Sequence, residues 1–126
     1  MRLMDDLTFN GQGLIPVIIA NAADRRPLTL CYMNREALAK TIETGKVHVF
    51  RRSKGRLMLK GEISGHIQEV KGLFPDCEGR SLMITVKQHV AACHAGYMSC
   101  YFRQYDAQSD DYRIAEEQVF DPKKIY

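Results

Sequence analysis

Residues 14–20 read LIPVIIA and residues 28–33 read LTLCYM. Both are short apolar runs rich in β-branched side chains, and the polar NAADRRP of residues 21–27 separates them. The first run reads as a buried strand and the second as its hairpin partner. Just after the hairpin, Asn34 stands before REALAKTIET, where its side-chain oxygen is suited to accept an orphan amide of a helix N-terminus. Leu38 and Ile42 lie four residues apart, on one inward face. Gly45 falls where a left-handed residue ends a helix. Beyond it the apolar period changes to two. Residues 46–51 read as a strand with Val47 and Val49 on one face and His48 and Phe50 on the other.

Further strands are expected at residues 56–60, 66–74, 81–88 and 98–103, with a basic turn, RRSKGR, centred on Gly55. Strands interrupted by one main helix indicate an α+β, mainly β domain, not a doubly wound parallel fold. The expected division is a domain over residues 1–104 and a polar tail over 105–126. The tail reads as disorder or a short helix, with the closing VFDPKKIY docking on the domain or on a partner.

The 126 residues suit a single domain, and 45% of them are hydrophobic, enough for a real core. A chain this small gains from a partner subunit. No apolar run approaches the ~20 residues of a membrane span. The opening MRLMDDLTFNGQ lacks the apolar core of a signal peptide. A cytoplasmic protein with reduced thiols is therefore expected. The net charge of +3 suits a phosphate-bearing ligand but is too small for a dedicated nucleic-acid binder.

In a reducing compartment, clustered cysteines read as metal ligands or reactive groups. Cys77 lies in the turn-like PDCEGR, and Cys93 and Cys100 bracket CHAGYMSC, with Gly96 to let the backbone bend. Zinc prefers thiolate and imidazole, and three protein ligands leave the open position of a catalytic site. Inert buried thiols are the other reading of the same residues. Cys31, in an apolar strand, reads as core. His94 is placed to be a fourth ligand or a general base, whereas His48, His66 and His89 read as structural or surface residues. Asp76 and Glu78 flank Cys77 and offer the oxygens that magnesium takes, or are simply solvated turn residues. The stretch RRSKGRLMLKGEISG supplies Arg51, Arg52, Lys54, Arg56 and Lys60, with Ser53 and Ser64, groups that hold phosphate, and Glu62 is a lone carboxylate among cations. A solvated basic hairpin tip explains the pattern equally well.

Several blocks, in order, resemble the phosphoribosyl-AMP cyclohydrolase family. They are Leu14 to Pro16, YMNREAL at residues 32–38, RSKG at 52–55, KGE at 60–62 with Ser64-Gly65, Asp76-Cys77, Cys93-His94 with Gly96, Ser99-Cys100, and Phe120-Asp121-Pro122 through Tyr126. The resemblance implies a small mixed folded sheet or pseudobarrel in an intertwined homodimer with metal sites shared between subunits. It implies hydrolysis of the N1–C6 bond of the adenine ring of 1-(5-phosphoribosyl)-AMP in histidine biosynthesis. Carried over block by block, Cys77, Cys93 and Cys100 are zinc ligands, and Asp76 and Glu78 belong to a magnesium block. His94 is the acid/base residue, and Arg52, Ser53, Lys54, Lys60, Glu62 and Ser64 hold the substrate. The chain departs from the pattern where it has no tryptophan, where Tyr97-Met98 replaces a pair of arginines, and where Arg80 replaces an acidic residue. Those departures leave two other readings open: a paralogue with the same zinc chemistry on another heterocycle, and a non-catalytic zinc-stabilised binding module.

Overall fold

The computed structural model describes residues 1–51 and 53–124. The hairpin forms as expected. Strand β1 (Ile15–Asn21) pairs antiparallel with β2 (Pro27–Met33), Ile15 facing Met33 and Val17 facing Cys31. Helix α2 (Arg35–Thr44) follows; a short α1 (Arg2–Asp6), which carries no capping bond, precedes the hairpin. The α2 ends match their sequence signals. The Asn34 side chain accepts the Ala37 amide at 2.8 Å, and Gly45, at φ 72°, donates its amide to the Thr41 carbonyl.

Strands β3 (His48–Arg51) and β4 (Arg56–Leu59) make a separate two-stranded ribbon. β5 (Gln68–Pro75) then pairs antiparallel with β6 (Leu82–Gln88), and β6 lies parallel to β1. The main sheet is mixed and open, in the order β2-β1-β6-β5, and the domain is α+β and mainly β as expected, with no closed barrel among the described residues. Its inner face carries Ile15, Val17, Ile19, Leu28, Leu82, Ile84 and Val86, all fully buried against Ala37 and Leu38 of α2 and against Val47 and Val49. Each such side chain contributes about 1.5–3 kcal/mol. No described helix is long and apolar enough to cross a membrane.

Two expectations near the C-terminus need correction. The strand foreseen at 98–103 does not form there. Its amides go to different partners: Ser99 N–H to the Glu116 carboxylate, Cys100 N–H to the Leu28 carbonyl and Tyr101 N–H to the Ser99 hydroxyl. No ladder is possible with donors dispersed in this way. The tail is neither disordered nor helical over 103–114. It forms a hairpin, β7 (Arg103–Asp106) with β8 (Asp111–Ile114), in which Tyr105 faces Tyr112. Past the hairpin, Glu116 pairs with Arg26, Val119 donates its amide to Gly96, and the Phe120 ring meets His66 edge-on at 4.8 Å.

Candidate active site

The segment after β4 turns back sharply. Gly65 N–H reaches the Gly61 carbonyl at 2.7 Å, and Gly61 sits at φ 87°, where a Cβ would stand 2.6 Å from the His66 backbone. Only glycine allows that approach. The turn therefore presents Lys60, Glu62 and Ser64 on one side, with the Ser64 hydroxyl accepting the His66 amide at 3.2 Å.

A cleft of about 260 Å³ opens there, between the turn, the β3–β4 ribbon and the 91–100 segment. Of the residues singled out in the sequence, Lys60, Glu62, Ser64, His94 and Cys100 line it together. Ser53 and Lys54 do not; they sit on the exposed tip of the β3–β4 turn. Arg52 lies outside the described residues. Thr29, Arg51 and His66 are among the other residues that line the cleft. His66 is 8% exposed, and its Nδ1 has no hydrogen-bond partner. Nothing in the sequence separates it from a core histidine such as His48, whose Nδ1 lies 2.8 Å from the Lys46 carbonyl. Glu62 is paired with Arg56 at 3.4 Å.

The 93–100 loop brings two sulfurs together. Cys93 N–H bonds the Tyr97 carbonyl and Gly96 N–H bonds the Cys93 carbonyl, closing a tight turn. The buried Ser99 anchors its end by donating to the Pro27 carbonyl at 2.8 Å. The Cys93 thiol meets that of Cys100, and Cys93 Sγ also accepts the Ala95 amide at 3.4 Å. Burial against the cleft wall pushes the Cys100 thiol above its ordinary pKa; a Thr29 hydrogen bond opposes this, the Cys93 sulfur adds to it, and the Lys60 ammonium opposes it. Two soft donors with an amide aimed at one of them suit zinc.

Cys77 is elsewhere. Strand β6 separates it from Cys93, and six steps of ~3.3 Å carry the chain ~20 Å from one end of the strand to the other. Cys77 lies in the turn beyond Pro75 and Leu82, whereas Cys100 bonds Leu28 near the opposite end of the sheet. Among the described residues, no three Cys, His, Asp or Glu side chains of one chain gather to hold a metal.

The acidic residues beside Cys77 are engaged with their own loop. Asp76 Oδ1 accepts the amides of Glu78 at 2.9 Å and Arg80 at 3.0 Å, and Oδ2 accepts the Ser81 hydroxyl at 2.6 Å. These bonds, the Ser81 one foremost, hold the Asp76 carboxyl below its usual pKa. The Glu78 carboxylate lies 3.9 Å from the Arg80 guanidinium. This donor set does not fit magnesium, which needs free carboxylate oxygens in octahedral array.

Comparison with known proteins gives the family. A model of the family described as phosphoribosyl-AMP cyclohydrolase matches residues 29–102, from β2 to the Cys100 segment. The chain is 44% identical over 119 residues to the phosphoribosyl-AMP cyclohydrolase of Methanothermobacter thermautotrophicus, covering 93% of this chain and 85% of that one. It is 46% identical over 125 residues to the enzyme of the same name from Desulforapulum autotrophicum, covering 98% and 99%. It also matches the histidine biosynthesis bifunctional protein HisIE of Thermoanaerobacter pseudethanolicus, 40% identical over 99% of this chain but 57% of that longer one. With half of its length matched by the family model and relatives this similar end to end, the chain belongs to the phosphoribosyl-AMP cyclohydrolase family.

Proposed function

We propose that this protein hydrolyses the N1–C6 bond of the adenine ring of 1-(5-phosphoribosyl)-AMP, a step of histidine biosynthesis, at the cleft between the Lys60–Ser64 turn and the Cys93–Cys100 loop. The observation that carries the reading is the convergence of Lys60, Glu62, Ser64, His94 and Cys100 on one cleft in a member of this family. Four free thiols suit a reducing compartment such as the cytoplasm.

Cys93 and Cys100 would hold zinc, with Cys77 as the third ligand. Zinc so held would supply a nucleophilic water at neutral pH. The protein's own side chains do the rest. His94 takes a proton from the attacking water and returns it to N1 as the C6–N1 bond breaks, so that C6 keeps the water oxygen as a carboxamide and N1 keeps its ribosyl group. Lys60 and the Ser64 hydroxyl donate to substrate phosphate or ribose oxygens. Glu62 accepts from a substrate hydroxyl, its carboxylate held by Arg56 until then. Ser53, Lys54 and Arg52 are assigned to the outer phosphate by their place in the family pattern.

Because Cys77 stands at the far end of the sheet from the sulfur pair, the third ligand is supplied by a second copy of the chain. The reading is therefore a homodimer with two shared zinc sites. Mixing two inactive variants tests it. Cys77→Ala and Cys93→Ala should each lack zinc and activity, falling at least ~100-fold. Unfolded and refolded together, they should regain about a quarter of wild-type activity, because half the dimers are mixed and each mixed dimer has one intact site. Recovery of nothing would place all three ligands in one subunit, and zinc retained by Cys77→Ala would remove Cys77 from the site.

A second reading, a different heterocyclic substrate, is favoured by one observation. Tyr97, at the place of a family arginine, stacks on Phe102 at 3.9 Å and 7° and offers no cation to a phosphate. Turnover of phosphoribosyl-AMP by zinc-loaded protein, followed by absorbance, decides between them.

A further inference from the structure

The β5–β6 loop has two carboxylates, and each is already committed. A carboxylate presents about four lone-pair sites, and Asp76 spends three on Glu78 N–H, Arg80 N–H and the Ser81 hydroxyl. The Asp76 main-chain carbonyl accepts Gly79 N–H at 3.1 Å, so it is occupied too. The second carboxylate, Glu78, faces a guanidinium 3.9 Å away. Gly79 is pinned against the end of α1, where a Cβ would lie 2.3 Å from the Asp6 carbonyl, and Thr8 N–H holds the Gly79 carbonyl at 2.7 Å. The loop therefore cannot open to free its oxygens without breaking the contact with residues 6–8.

A divalent cation here would have to displace those hydrogen bonds and share the loop with a fixed positive charge. Arg80 is largely exposed, at 75%, and the Glu78 contact leaves most of its donors free. We propose that the β5–β6 loop binds no divalent cation and that Arg80 is its built-in cation, a guanidinium that presents to the substrate's phosphate the charge a metal would otherwise bring. The first half rests on the loop's hydrogen bonds together with the Arg80 charge beside them. The second half rests on the proposed shared site, which carries Arg80, three residues from Cys77, to the other copy's cleft.

Manganese stands in for magnesium as a spectroscopic probe. Titrated into zinc-loaded protein and followed by electron paramagnetic resonance, Mn²⁺ should stay free up to about 1 mM, well above the nanomolar-to-micromolar range of built cytosolic carboxylate sites. Arg80→Asp, which gives the loop a third carboxylate, should take up about one Mn²⁺ per chain. Stoichiometric uptake by the wild type that disappears in Asp76→Asn would overturn the proposal. An Arg80→Asp protein, folded by circular dichroism, that takes up none would overturn the assignment of the exclusion to Arg80. For the charge role, Arg80→Gln should raise the KM for phosphoribosyl-AMP about tenfold, with kcat within about twofold and neither value moved by Mg²⁺; an unchanged KM refutes it. If the wild type turns over nothing, the proposed substrate fails, while the manganese result still decides whether the loop takes a cation.

Discussion

The two faces of the main sheet are built from the same strands yet meet different surroundings. On the inner face, Ile15, Val17, Ile19 and Ile84 are fully buried beneath α2 and the Val47–Val49 stretch. On the outer face, Ile18 is 42% exposed, Leu30 47% and Phe74 39%, with the Arg25 guanidinium 5.0 Å from the Phe74 ring centroid. Both faces carry large apolar residues, although Thr85, Lys87 and Glu69 share the outer face with Ile18 and Phe74. What differs is cover. A sheet with one wet face normally shows polar residues there, and here large apolar ones stand exposed beside them. An exposed apolar area of this kind marks a contact surface, in keeping with the second copy proposed to complete the sulfur site.

The largest expected effect separates the two faces. Ile84→Ala should lower stability by about 2–5 kcal/mol, by the same amount at every protein concentration, in denaturant titrations. Ile18→Ala, on the open face, should cost less within one chain. Instead it should weaken the rise of Tm with protein concentration that the proposed association would confer. Equal, concentration-independent losses at the two sites would erase the distinction between the faces.

A smaller effect probes how dry the inner side is. Burial pushes the Cys31 thiol up from 9.0 to about 11, with Lys60 partly offsetting it. Between pH 9 and 11 the unfolded chain gives up this proton while the folded chain keeps it, so stability falls as pH rises through that window. The loss amounts to roughly 2–3 kcal/mol by pH 11. Cys31→Val should flatten the slope by that amount relative to wild type, read from denaturant midpoints at each pH. An unchanged slope would mean the thiol is already wet.

The smallest effect concerns the cover itself. Asn34→Ala removes the side-chain bond to the Ala37 amide that starts α2. It should cost about 1 kcal/mol, with cleft-dependent activity unaltered. A change in activity would mean that α2 does more than seal the inner face.

Legibility in the sequence followed the range of the interaction. The β1–β2 hairpin, α2 with Asn34 and Gly45, and strands β3 to β6 were readable because each is specified by neighbours a few residues apart. The β7–β8 hairpin was not. Its pairing brings Tyr105 to Tyr112 among Asp, Gln and Arg residues, and its turn needs Asp110 at φ 54°, an unusual demand on a non-glycine. In the candidate site, the Lys60–Ser64 turn and the Cys93–Cys100 loop were each visible as motifs. Their meeting across the cleft with Thr29 and His66 depends on tertiary contacts that no local spacing encodes. The separation of Cys77 from the other two cysteines was latent in the sequence, since the strand foreseen between them is long enough to hold them apart.

The central pairing of the sheet also bears on the order in which the protein is made. β1 and β6 lie side by side, yet Val17 is joined to Leu82, and closing a loop of that length costs about 4 kcal/mol of chain entropy. On a ribosome the hairpin and helix are complete long before β6 emerges. The two sulfurs of the 93–100 loop follow β6 and are anchored on Leu28 and Pro27, so they come together only once the sheet has closed. A zinc ion held by that pair, as proposed, would therefore enter only after the sheet has closed.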